Sequence, residues 1–93
     1  MNDKIETYIG FAIKKGSVAF GVDGIKACRK HIFVILYTDS LSDGSRSALE
    51  FVAEKRGVSL LKIDDYQTLT RKNCKALAIC DKSLAQAIES NLK

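Results

Sequence analysis

The feature that most constrains this chain is the run Ile32-Phe33-Val34-Ile35-Leu36-Tyr37, an unbroken series of apolar, β-branched and aromatic residues. A strand with one face in water alternates polar and apolar side chains, whereas an unbroken run needs cover on both faces. The run therefore predicts a central strand with helices above and below it. It is also far shorter than the ~20 residues needed to cross a bilayer. No membrane association is expected, and the start Met1-Asn2-Asp3-Lys4 has no signal-peptide pattern, so the expected location is the cytoplasm.

The flanking segments supply the covering layers. Ile5, Tyr8, Ile9, Ala12 and Ile13 recur at amphipathic-helix spacing behind Asn2 or Asp3 as a cap, and Gly16 stops that helix. Ser17 to Phe20 is a short β-prone stretch, after which Val22, Ile25 and Cys28 return to helical period between Gly21 and Lys30. Beyond the central run, Thr38 to Gly44 reads as a loop ending in a cap at Ser42 or Asp43. The following helix places Ala48, Phe51, Val52 and Lys55 on one face, and Arg56-Gly57 gives it a basic last turn and a stop.

Ser59 to Ile63 is the next strand, and Asp64-Asp65 can cap a short helix through Leu69. A basic loop, Arg71 to Lys75, leads into the buried strand Ala76 to Cys80. Asp81 caps a last helix with Leu84, Ile88 and Leu92 on one side. Strands alternating with helices predict an α/β fold, a three-layer α-β-α sandwich with a four-stranded mixed sheet and about five helices. With 93 residues, the chain supports one hydrophobic core and hence one domain over 1–93.

Apolar residues at 46% and charged ones at 28% belong to an ordinary globular protein. The net charge is +4, and it is unevenly spread. Between Lys14 and His31 stand Lys14, Lys15, Lys26, Arg29 and Lys30 against Asp23 alone, while Arg71 to Lys75 holds Arg71, Lys72 and Lys75 with no acid. These two segments total +7, leaving the rest of the chain at −3. Localised positive charge suits a polyanionic partner, although two solvated faces would look the same on charge alone.

Catalytic chemistry finds little to work with. Gly16, Gly21 and Gly24 match neither G-x-G-x-x-G nor a P-loop, and the Thr38 to Ser45 segment has no G-x-S-x-G elbow. Asp64-Asp65 is the one adjacent acidic pair and reads as a cap without further metal ligands. Cys28, Cys74 and Cys80 form no C-x-x-C pair and are odd in number, so free buried or half-buried thiols are expected. His31, the single histidine, has no catalytic partner in the sequence, and Tyr8, Phe11, Phe20, Phe33, Tyr37 and Phe51 fall at core-type spacings. No cofactor, metal or small-molecule substrate is expected. What remains is Gly21 opening a helix, flanked by Lys14-Lys15 before it and Lys26, Arg29 and Lys30 within or after it. Exposed N–H groups at a helix start with lysines at the same end would hold a phosphate.

The segment Ile9-Gly10-Phe11-Ala12-Ile13-Lys14-Lys15-Gly16-Ser17-Val18-Ala19-Phe20-Gly21 resembles the opening of the ribosomal protein L-seven-Ae / L-thirty-e family: Leu-Gly-Leu-Ala, two basic residues, Gly, a short strand and Gly. Val34-Ile35-Leu36-Tyr37-Thr38-Asp39-Ser40 is similar to that family's strand ending in an acidic turn. Leu69 to Ala85, with Ala76-Leu77-Ala78-Ile79-Cys80-Asp81, is similar to its last strand and helix. The resemblance implies a non-enzymatic, bacterial ribosomal-protein-like member that binds kink-turn or bulged RNA, with rRNA as the natural setting. It also implies contacts by Gly21, Val22, Asp23, Gly24, Lys26 and Lys30, and by the loop Leu69 to Cys74 with Arg71, Lys72 and Asn73.

The chain departs from the family where bases are read. The usual Gly-x-Asn-Glu followed by a lysine becomes Gly21-Val22-Asp23-Gly24-Ile25-Lys26. Asp23 as a carboxylate only accepts hydrogen bonds, where an amide also donates. Gly24 offers no side chain, and Lys26 sits one position early, about 100° around a helix. The Leu69 to Lys75 loop lacks the family's leucine-glycine pair and is basic. These changes shift the expectation from base reading towards phosphate contact. The alternative is a protein-interaction module of the same fold that has lost specific RNA contacts.

Overall fold

The computed structural model describes residues 4–64, 66 and 74–92. The elements run α1 (Lys4–Lys15), β1 (Val18–Phe20), α2 (Gly21–Ala27), β2 (Val34–Tyr37), α3 (Asp43–Arg56), β3 (Ser59–Lys62), β4 (Ala76–Ile79) and α4 (Lys82–Leu92). The strands form one mixed sheet in the order β1-β4-β2-β3, with β2 and β3 parallel and β4 antiparallel to both β1 and β2.

Because side chains alternate along a strand, each central strand feeds two cores. Val34 and Leu36 of β2 and Leu77 and Ile79 of β4 pack with Ile5, Ile9, Ala12, Ala85 and Ile88, so α1 and α4 cover one face. Ile35, Ala76 and Ala78 pack with Ile25, Leu49, Val52 and Ala53, so α2 and α3 cover the other. Strand β4 is asymmetric. It presents leucine and isoleucine to one layer and two alanines to the other, which lets the short helix α2 lie close to the sheet, with Ile25 fully buried. The result is the three-layer α-β-α sandwich with a four-stranded mixed sheet.

Four helices stand among the described residues, against an expectation of about five. The fifth was expected from Asp64-Asp65 to Leu69, which lies largely outside the described residues. Other differences are local. The central strand begins at Val34, and Ile32 is core without being part of the ladder. Helix α2 ends at Ala27, where Cys28 turns extended at φ −65°, ψ 124°. In α3 the buried face is Leu49, Val52 and Ala53. Phe51, expected inside, is 66% exposed. It follows Leu49 by two positions, about 200° around the helix, and so faces away from the sheet. Phe11 stands in the same relation to Ile9 and is also exposed, as is Phe20 at the end of β1.

The caps explain the boundaries of α3. The Ser42 hydroxyl accepts the Ser45 N–H at 3.2 Å, and Gly57 ends the helix in the left-handed region at φ +68°. Asp81 does the same for α4, its carboxylate accepting the Leu84 N–H at 2.9 Å. No helix among the described residues is long and apolar enough to cross a membrane.

Candidate nucleic-acid interface

The register of the sheet decides which sequence segments meet. Phe20 pairs with Leu77, Tyr37 with Ala76 and Tyr37 with Lys62, so one end of the sheet gathers Gly21, Cys74-Lys75, Thr38-Asp39 and Lys62. Val18 pairs with Ile79, which pairs with Val34, so the opposite end gathers Lys15-Gly16-Ser17, Cys80-Asp81 and Phe33. The two ends are separated by strands of three or four residues, roughly 10 Å.

At the first end, Gly21 begins α2 at φ +72° directly after β1, and no side chain caps the helix. The buried Cys74 thiol donates to the Ala76 carbonyl at 2.8 Å, at the same end of the sheet as Gly21. Burial pushes the Cys74 thiol up, with the backbone of Ala76 and Gly21 pulling it the other way. Thr38, the one buried polar side chain among the described residues, holds the neighbouring corner. Its N–H donates to the Lys75 carbonyl at 3.0 Å and its hydroxyl to the same oxygen at 3.4 Å. Lys75 is thereby fixed by its backbone while its side chain stays exposed. Lys62 and Asp39 close the rim as an ion pair at 2.7 Å, and the Asp39 carboxylate raises the Lys62 ammonium above its ordinary value.

The residues named from the sequence therefore divide. Gly21 stands at the same end of the sheet as Cys74, and Val22, Asp23 and Gly24 follow it in the first turn of α2. Lys26 is in the last turn of α2, on the far side of the helix from its start, where it borders an open groove of about 520 Å³ with Phe51, Val52, Lys55 and Arg56. Lys14, Lys15 and Lys30 were expected at the same end as Gly21 and instead belong to the opposite end. The Lys15 ammonium pairs with Asp81, and Lys30 donates to the Gly16 carbonyl at 2.8 Å. The physical reason is the intervening strand: β1 carries the chain across the sheet between Gly16 and Gly21. Leu69, Arg71, Lys72 and Asn73 lie outside the described residues.

Two features at the far end were not legible from spacing. Arg56 donates to the Cys28 carbonyl at 3.0 Å, tying the end of α3 to the end of α2. The Cys28 and Cys80 sulfurs lie 3.7 Å apart, although the residues are 52 positions apart in sequence. His31 is exposed and packs its ring against Phe33, with centroids 4.4 Å apart. Among the described residues, no group of three or more His, Cys, Asp or Glu side chains is arranged to hold a metal ion.

No family model matches the sequence, and no curated protein matches it. The fold does have relatives among solved structures. A protein of unknown function from Bacillus halodurans superimposes with a TM-score of 0.77 at 10% sequence identity, covering 96% of each chain. At that identity the likeness concerns the fold alone.

Proposed function

We propose that this chain is a non-enzymatic RNA-binding protein of the ribosomal L-seven-Ae / L-thirty-e type, working in the cytoplasm and contacting structured RNA, kink-turn or bulged, mainly through its phosphates. The observation that carries the reading is the placement of Gly21 and Cys74. Gly21, which opens α2, and Cys74, which leads into β4, stand at the same end of the sheet, and each belongs to a segment that the family resemblance implicates. A glycine there lets a second backbone approach, and the uncapped first turn of α2 leaves N–H groups directed at it. Exposed Lys75 stands on the same rim and supplies charge. Asp23 and Gly24 stand where the family carries an amide and a carboxylate, and so favour phosphate contact over base reading.

Gel-shift titration of the full chain against a kink-turn RNA and an unkinked duplex, at low and at physiological salt, tests this. Phosphate-dominated binding gives a log–log salt slope of about −0.7 to −0.9 per contact with little preference for the kink. Replacing Lys75, exposed at the Gly21 end of the sheet, flattens that slope by about one. A tenfold or larger preference for the kink at higher salt, ~1.4 kcal/mol, would instead mean that the start of α2 reads the bend. The competing reading, a protein-interaction module, draws on the exposure of Phe51 and the missing base-reading pair. It is the one left standing if neither RNA binds at low salt.

A further inference from the structure

We propose that Cys28 and Cys80 are a disulfide-forming dithiol, oxidised by a small disulfide such as oxidised glutathione and reduced again by thiols. Their sulfurs lie 3.7 Å apart, in van der Waals contact, and the bond itself needs about 2.05 Å. Side-chain rotation has little distance to close. Both residues are half-buried at the margin of the α2/α3 core, so a small reagent has an approach that a protein partner lacks.

Each backbone is held independently. The Cys80 N–H donates to the Ser17 carbonyl at 2.7 Å, fixing it at the end of β4. Cys28 is fixed by its own N–H to the Ile25 carbonyl at 3.2 Å and by Arg56 on its carbonyl. Cys74 is excluded from the pair, because it sits at the opposite end of β4, buried, with its thiol on Ala76.

The exchange runs in two steps. Burial, reinforced by the neighbouring Cys28 thiol, pushes Cys80 up to about 11, against the opposing pull of Lys30 and Arg56. Either thiol can attack first with the other resolving, and in one direction the nucleophile is Cys28. Its thiolate displaces one glutathione thiolate and leaves a mixed disulfide. The Cys80 thiol loses its proton as its sulfur attacks the Cys28 sulfur, expelling the second glutathione. Two protein thiols and one glutathione disulfide become one protein disulfide and two glutathione thiols, so the protein is oxidised by the two electrons that glutathione gains. The product ties the helix α2 exit, with Arg29 and Lys30 beyond it, to the sheet beside Asp81.

The test uses the full chain, equilibrated with oxidised glutathione, alkylated and digested without reduction. Mass spectrometry is expected to find a Cys28–Cys80 linked peptide and an alkylated Cys74. Closing a 52-residue loop raises the melting temperature by about 20 °C, and dithiothreitol reverses the rise. Cys28→Ser and Cys80→Ser should each lose that rise and hold glutathione on the remaining partner. The proposal falls if wild-type protein retains glutathione as a stable mixed disulfide, or if the link involves Cys74. The wild-type peptide map is independent of how well the serine variants fold, and independent of RNA binding.

Discussion

At the scale of single residues, two glycines of α2 have opposite roles although three positions separate them. Gly21 sits at φ +72°, where a Cβ strains the backbone even though nothing crowds it. Gly24 lies in the helix interior with ordinary dihedrals, and a Cβ there would meet the Ala19 carbonyl carbon at 4.0 Å, ordinary contact. Gly21→Ala is therefore expected to destabilise the protein by about 1 kcal/mol. Gly24→Ala should stabilise it by about 0.5 kcal/mol through helix propensity. Urea denaturation of the two variants checks the difference in sign, and a loss in both would mean that Gly24 also serves a close approach. The same residue-scale logic puts Phe51 outside: periodicity assigned it to a face, but the helix turned Leu49, Val52 and Ala53 inward instead.

At the scale of an element, α4 depends on Asp81 in two ways. The carboxylate caps the helix through the Leu84 N–H and pairs with Lys15 at the end of α1, and it is held below its ordinary value first by Lys15 and then by that N–H. A carboxyl whose folded pKa is depressed contributes stability that is present above its unfolded pKa and lost as pH falls through the folded one. Stability should thus be fully supported at neutral pH and decline below about pH 4, the unperturbed value being 3.8. Asp81→Asn keeps a good N-cap residue but removes the charge. It should lower the urea midpoint at pH 7 and flatten its fall in acid; an unchanged acid limb would show that other carboxyls govern it. Because α1 and α4 pack on the same two central strands as the other layer, the loss should lower one global midpoint.

At the scale of the whole molecule, stability rests on two cores that share β2 and β4. Leu77 is fully buried in the α1/α4 core, and its β4 neighbours Ala76 and Ala78 serve the other. Leu77→Ala leaves a cavity expected to cost about 2–5 kcal/mol. Against a total of about 5–15 kcal/mol for a domain, that is a large fraction. A single cooperative unit predicts that far-ultraviolet circular dichroism and tyrosine fluorescence report one shared, lowered urea midpoint for this variant. Separate midpoints would mean that the two helical layers unfold independently.

The sequence by itself determined the layers. The unbroken run at Ile32 to Tyr37, the helical periods on either side of it, and the caps and stops at Ser42, Gly57 and Asp81 are local properties, set by side-chain chemistry and backbone freedom within a few residues. They are enough for an α-β-α sandwich and for a helix that opens at Gly21. Pairing register was decided only in three dimensions, because hydrogen bonds between strands join residues that no periodicity links. Register put Cys74 beside Gly21 and carried Lys14, Lys15 and Lys30 to the other end of the sheet, dividing a positive charge that looked continuous along the chain. It also brought Cys28 and Cys80 within 3.7 Å across 52 positions, a contact that exists because α2 folds back over β4 on a face made of alanines.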